Sequence, residues 1–467
     1  MASQVLPQIP GRPLVGHLFD VMSRGLFPPV REHWLELGDA FSIKVGGRSV
    51  AVFVHPDAAE AVLVTQREDF VKRASYDQIR LLVGDGVLTV EGEQWKQQRR
   101  TIQPCMNRSF LVGFTDTMVR AVVDMVDAWA RRGAGPLDVY PEMLRLALRI
   151  LGETLFSLDL SASADVSTEA FTVALEELSR RGNTLFAPPL SWPTPGNRRL
   201  RKALAKLDEI VYGMIDERAA AKARGEAGPP DLISLLLDHR DEAGKPMDRR
   251  IVHDEVITMF LAGHETTGLA LTWTWYLLSL HPEAEARLHR EVDEVLGGRL
   301  PTAADLPRLP YTKQVLQESM RLMPPVWSGG RDVARDTELT GYALRERDFI
   351  MLVPYLTHRH PDFWERPEAF VPERFEPDQL RGRHRMAYFP FSAGPRMCVG
   401  NHFTMIEAQL AIAVIAQRFR LDHRPGHPVE REHQITMRPR HGMQMLLHRR
   451  DEGSMIFDPR PKVAAAC

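Results

Sequence analysis

Three observations predict a mainly α protein with a smaller β region, an α+β class: helical periodicity over most of the chain, an alternating hairpin near its start, and strand-like pieces toward its end. From about Glu93 to Glu294 apolar residues recur three and four apart, as in MVRAVVDMVDAWA and LDEIVYGMIDERAAA. Before that, FSIKV (Phe41 to Val45) and SVAVFV (Ser49 to Val54) alternate apolar and polar residues on either side of Gly46-Gly47, which reads as a hairpin. Short apolar pieces broken by glycine and proline fill Asp332 to Phe391, a further helical pattern runs from Cys398 to about Arg418, and strand-like material returns near Met437 to Leu447. The β-rich parts therefore fall at about 35–75, 332–390 and 425–450, and the α-rich part at about 93–330 and 398–418.

A chain of 467 residues exceeds a usual single domain, yet no long linker or charge run divides it. Residues 1–450 read as one domain and 451–467 as a poorly ordered tail. With 44% hydrophobic and 26% charged residues the composition suits a soluble protein with a substantial core, and a formal charge of -2 gives no basic face for nucleic acid. Cys105, Cys398 and Cys467 are too few and too scattered for a disulfide framework, so a reducing cytoplasm is the natural setting and Cys467 reads as incidental. The start, MASQVLPQIPGRPLVGH, lacks the apolar stretch of a signal peptide or anchor. The apolar run Val256 to Leu280 is long enough for a bilayer, but His264 and Glu265 near its middle favour a buried helix in a soluble body.

Two breaks in the helical region, LLVGDGVLTVEGEQW (Leu81 to Trp95) and APPLSWPTPGN (Ala187 to Asn197), carry glycine and proline and read as mobile covers without regular helix. In FPFSAGPRMCVGNHFTMIEAQLAIAVIAQRF a glycine-containing loop leads one cysteine into a long apolar helix. Cys398 at that helix N-terminus would face free amide donors that stabilise a thiolate and help lower its pKa; for a lone cysteine, plain core packing is the competing reading. In FLAGHETTGLALTW a His-Glu-Thr-Thr cluster interrupts an otherwise apolar helix, and buried polar groups of that kind need partners or a function. Glu318 and Arg321, three apart in QESMRL, share a helix face and can pair.

The spacing Phe391, Gly394, Arg396, Cys398, Gly400 resembles the haem-binding loop of the cytochrome P-450 superfamily, and AGHETT is similar to that family's oxygen-binding helix. The resemblance covers nearly the whole chain and implies the cytochrome P-450 fold, with a long central helix crossing a haem b. It implies Cys398 as the axial iron ligand, Phe391 beside the sulfur, Arg396 on a propionate, and Gly394 and Gly400 as places where backbone approaches the cofactor. Trp95 and Arg99 match a Trp-x-x-x-Arg helix aimed at one propionate; Arg331 fits a further propionate position and His358 a weaker one. Thr266 and Glu265 would relay the protons that dioxygen cleavage consumes, Gly263 would let the helix pass close to haem and oxygen, and Ala262 would leave room for substrate. A Thr266 hydroxyl bonded to its own helix, with Glu265 in a mere ion pair, is the alternative. His264 matches a position facing away from the pocket, and Glu318, Arg321 and Arg374 match a buried structural triad.

The implied activity is a monooxygenase that inserts one atom of dioxygen into a C–H bond, by hydroxylation or else epoxidation, of a hydrophobic fatty acid, terpenoid, steroid or polyketide. A haem peroxygenase or isomerase, or a non-catalytic haem sensor, stands as the alternative. Candidate substrate contacts are Leu81, Val87, Leu88, Phe186, Ala262, Pro325, Val326 and Met437. Too little chain follows the cysteine helix for a fused flavin domain, so electrons are expected from a separate ferredoxin and ferredoxin reductase. Lys96, Arg100, Arg383 and Arg385 would form their docking face, and nothing requires more than a monomer.

Overall fold

A helix of 32 residues, Arg249–Leu280, organises the molecule. Asp248 caps it by accepting from Arg250 N–H at 2.8 Å, and Pro282 ends it by disfavouring helical backbone at His281. Apolar residues occupy all its faces, the pattern of a helix surrounded by protein, and Trp273 and Trp275 are fully buried. The run Val256 to Leu280 is thus core, as expected, and no described helix is long and apolar enough to cross a membrane. The computed structural model describes residues 4–160, 164–182, 187–226 and 228–450. Phe186, Cys467 and the tail expected from 451 lie outside the described residues.

In chain order the elements that build the site are α1 (Leu18–Arg24), β1 (Ala40–Val45), β2 (Arg48–Phe53), β3 (Phe70–Val71), α2 (Asp77–Val83), α3 (Gly92–Ile102), α4 (Val139–Leu151) and α5 (Pro195–Ala223). They continue with the central α6 (Arg249–Leu280), α7 (Pro310–Leu322), β4 (Gly329–Val333), β5 (Phe349–Leu352), α8 (Asn401–Arg418), β6 (Met437–Pro439) and β7 (Gln444–Arg449). The expected hairpin forms: β1 and β2 pair antiparallel with Ile43 opposite Val50. They extend into a five-stranded sheet of order β1-β2-β5-β4-β3, in which β2 and β5 are parallel and Val50 faces Phe349. The fold is α-rich with a smaller β region, as the periodicity predicts.

Three local expectations need correction. Leu81 to Val83 is not irregular: it completes α2, which stops only at Gly84, where φ is 61°. The helix after the cysteine starts at Asn401 with Gly400 as its N-cap, so Cys398 precedes it rather than opening it. The strand expected over Met437 to Leu447 is split by a turn into β6 and β7.

Candidate functional site

A cavity of about 1460 Å³ lies between α6 and the cysteine loop. A drug-sized ligand takes roughly 300–1,000 Å³, so there is room for a large cofactor and a substrate together. Cys398 counts as exposed, but the surface it exposes is the wall of this cavity, and so is that of Ala262 in the middle of an otherwise buried helix.

The loop holds the sulfur in place through backbone. Cys398 N–H donates to Phe391 O at 2.9 Å and Gly400 N–H donates to the sulfur. A Cβ on Gly400 would lie 3.9 Å from Sγ, an ordinary contact. Burial raises the thiol pKa, against the expected lowering, while the Gly400 amide, Arg99 and Lys72 pull it down. Gly394 has a φ of 66°, and a Cβ on it would fall 2.0 Å from Leu63 O, so the missing side chain lets the loop pack on residues 61–65. Gly394→Ala is expected to cost about 1–2 kcal/mol for the left-handed backbone alone, with more for the displaced loop, read as a lower urea midpoint. Gly263 lines the cavity, and its Cβ would also meet Leu151 Cδ1 of α4 at 2.6 Å, so the missing side chain lets α6 and α4 pack closely as well.

Four cations meet beside the cysteine. Lys72, Arg99, Arg331 and Arg396 all line the cavity, and among the described residues Arg396 alone of the four has an ion pair, to Glu91. Its other terminal nitrogen, Nη1, is buried without a hydrogen-bond partner, and its guanidinium sits 4.1 Å from the Trp95 ring centre. Burial, then Arg331 and Arg396, hold Lys72 well below the usual ammonium range. Such an excess of desolvated positive charge calls for an anionic ligand. A flat apolar ring bearing two carboxylates, as in the haem that the resemblance implies, would fit the charge, the size and the thiol together. Trp95, Arg99, Arg331 and Arg396 come together as expected; sequence reasoning missed Lys72 and Glu91, because a charged residue in FVKRAS or TVEGEQW reads as solvated surface.

On the α6 wall, Thr266 Oγ1 donates to Ala262 O at 2.7 Å, the bond to its own helix weighed as the alternative. Glu265 Oε1 accepts from Thr436 Oγ1 at 3.0 Å. Burial pushes the Glu265 carboxyl up to about 7, opposed by the Thr436 hydrogen bond and by Arg438. His264 turns away from the cavity, its Nδ1 2.9 Å from Phe260 O. Behind the loop, Arg321 donates to both oxygens of buried Glu318, at 2.6 and 2.8 Å, and Arg374 Nε lies 3.3 Å from Glu318 Oε1. His358 is fully buried and accepts from Phe389 N–H at 2.9 Å, a structural placement outside the cavity wall.

With this geometry in place, known proteins give a consistent answer. The cytochrome P450 family profile matches residues 7–446. The chain belongs to the cytochrome P450 family. It is 35% identical over 431 residues to cyclooctatin synthase of Streptomyces melanosporofaciens, covering 91% of this chain and 92% of that one. It is 34% identical over 418 residues to the cyclooctat-9-en-7-ol 5-monooxygenase of the same organism, covering 89% of each. The crystal structure of the cytochrome P450DA heme domain superposes with a TM-score of 0.86 at 26% identity, covering 97% of this chain and 99% of that one. This P450 is therefore a haem-thiolate monooxygenase that hydroxylates a hydrophobic substrate, using dioxygen and electrons from redox partners.

The P450 chamber corrects part of the expected substrate wall. Val87, Leu88, Ala262, Pro325 and Val326 line it. Leu81 does not: on α2 it lies on the face opposite buried Ile79 and Leu82, and its side chain is exposed. Met437 is fully buried in β6, its carbonyl accepting from Trp273 Nε1 at 3.0 Å; the preceding turn, Gln434 to Thr436, reaches the chamber instead. A period-two pattern marks a strand but not which end of its turn looks inward.

Proposed function

We propose that this P450 hydroxylates a cyclic terpenoid alcohol or hydrocarbon, with Cys398 as the axial ligand of haem b and Glu265 and Thr266 as the proton relay. The observation that carries the reading is the convergence of Cys398, the four cations and the Glu265-Thr266 pair on one chamber. Bound haem supplies the iron and the oxidising power, tuned by thiolate donation that favours O–O cleavage. Arg99, Arg331, Arg396 and Lys72 would hold the two propionates, and Trp95, stacked on Arg396, would fix its direction. Ile79, Val87, Leu88, Ala262, Val326 and Ile435 give an apolar wall that orients a hydrocarbon skeleton and excludes bulk water. The names of the two Streptomyces relatives, one of which acts on a cyclic alkenol, support that class.

Glu265, with a pKa of about 7, is close to half protonated at neutral pH and can both take and give a proton. Thr436 parks the carboxyl; Thr266 would exchange its bond to Ala262 O for one to water or to dioxygen when it donates. Thr266→Ala is expected to lower product formed per electron consumed by about one to two orders of magnitude while electron uptake continues. In the wild type that ratio falls as pH rises through about 7 and Glu265 loses its proton, and Glu265→Gln flattens the profile. Unchanged coupling in Thr266→Ala would remove the relay and favour the peroxygenase or isomerase alternative. Screening cyclic terpenoid alkenols for a substrate-induced shift of the Soret band tests the substrate class; binding confined to linear fatty acids would overturn it.

Electrons arrive from a ferredoxin and its reductase in the cytoplasm, on a monomeric P450. Of the basic residues assigned to docking, Lys96 and Arg385 are exposed and hold Glu93 and Glu60, whereas Arg383 stacks on Trp364 and is the weakest of the set. Loss of ferredoxin-driven turnover at high salt supports docking by these charges, and indifference to salt argues against it.

A further inference from the structure

The loop 84–91 closes one side of the chamber through Val87 and Leu88, and it is fastened to α6 by groups that haem binding and proton transfer leave unused. Asp254 Oδ2 accepts from Asp85 N–H at 2.8 Å, and Glu255 Oε2 accepts from Val87 N–H at 3.2 Å. Both carboxyl groups are buried, Glu255 completely. The loop backbone is shaped for this contact. Gly84 has φ of 61° and a Cβ on it would lie 2.2 Å from Asp254 Oδ2, while a Cβ on Gly86 would lie 2.3 Å from Thr258 Oγ1. Two glycines thus let main chain settle where two adjacent acids accept its amides. Burial keeps Glu255 protonated up to about 8, so the pair does not carry two unpaired charges at neutral pH.

Asp254 also faces the other way. Its Oδ1 lies 3.0 Å from His253 Nδ1, and His253 Nε2 lies 3.1 Å from Asp208 Oδ1 on α5. The imidazole stacks on Tyr212 of α5, with ring centres 4.3 Å apart and planes 20° apart. Arg250, 4.0 Å from both Asp85 and Asp254, adds a cation to the same junction. One carboxylate therefore joins the loop through one oxygen and, through His253, the helix that follows the second cover of the chamber.

We propose that Asp254, Glu255 and His253 form a latch on α6 that couples loop 84–91 to α5, so that the two covers of the chamber open together. They are positioning residues: they touch neither haem nor substrate and act through the covers. The consequence for substrate entry rests on reading the cavity as the substrate chamber; the latch itself is measured without turnover, so failure of that reading leaves the result standing.

The test is hydrogen exchange on the full-length, haem-loaded protein, following peptides over 84–91 and 205–214, with the haem absorption spectrum as the control for folding. Removing a charged acceptor breaks a strong, charge-assisted hydrogen bond, so Asp254→Ala is expected to speed exchange about tenfold or more in both peptides. Glu255→Leu should speed the loop alone. Asp254→Asn, which keeps an acceptor for Asp85 but removes the charge facing His253, should loosen 205–214 more than 84–91, and it carries the test if Asp254→Ala does not fold. Faster exchange in the loop with α5 at the wild-type rate overturns the coupling. Wild-type exchange in both peptides overturns the latch.

Discussion

Cys398→Ser is expected to abolish hydroxylation and the red-shifted Soret band that the reduced, carbon monoxide-treated wild type shows. The loop is pinned by Cys398 N–H to Phe391 O, which the substitution leaves untouched, and the sulfur accepts from the Gly400 N–H, a bond that an oxygen can inherit. The loop therefore survives the substitution, and so do the four cations proposed to hold the propionates. What is lost is the soft, electron-rich donor on which O–O cleavage depends. Turnover should fall by about three orders of magnitude or more, to the level left when an essential group is removed from an otherwise intact site. Haem content and far-UV circular dichroism separate that outcome from misfolding. A variant that binds haem and keeps the red-shifted band would mean that another residue is the ligand.

The cysteine loop was readable because its function resides in the spacing of a few residues along the chain. Phe391, Arg396, Cys398 and Gly400 reach the cavity together since a short loop leaves them nowhere else to go. Trp95 and Arg99 were readable for a similar reason, one helical turn putting both on one face. Lys72 was not. Its burial depends on strand β3 lying beside β4, a pairing between residues 70–71 and 332–333 that no local pattern encodes. Thr436 was missed by one residue: the hydrophobic Met437 attracted the assignment, but the Met437 backbone is bound to Pro325 and Trp273, which turns its side chain into the core. The glycines carry packing roles that the sequence did not show. Gly263 and Gly394 are needed, as expected, but against Leu151 and Leu63, contacts that only the tertiary structure reveals.

Thr266 and Glu265 support two readings at once. Thr266 in this structure is bonded to its own helix, which alone would be a structural role, yet it lines the chamber beside a carboxyl whose pKa is raised to about 7. Burial alone lifts a carboxyl in this way, as it does Glu255, so it is the place of Glu265 on the chamber wall beside Thr266 that favours the relay. Arg438 is close enough to act on Glu265 but is itself engaged by Glu432 and Glu176, so it leaves Glu265 able to protonate.

The second large effect falls on stability. Arg321 is completely buried on α7, donates to both oxygens of Glu318, and gives further hydrogen bonds to the carbonyls of His358, Pro367 and Ala369 at 3.0, 2.7 and 2.9 Å. Its guanidinium also lies 4.8 Å from the Trp364 ring centre. Arg321→Met fills the volume but leaves Glu318 buried beside Arg374 alone and strands three carbonyls, so the expected loss is about 3–5 kcal/mol. Arg321→Lys keeps the charge but not the planar fork, and should fall between the two. Because Glu318 also accepts from Val371 N–H at 2.8 Å, Glu318→Leu should be comparably destabilised. The double variant Glu318→Leu, Arg321→Met removes both charges at once and is expected to be no less stable than the worse single variant, since the two effects share one interaction. Urea midpoints followed by circular dichroism and by haem release measure all four. If the double variant loses the sum of the two single losses, Glu318 and Arg321 stabilise separately, and the buried triad is not the unit that holds the segment from His358 to Val371 behind the cysteine loop.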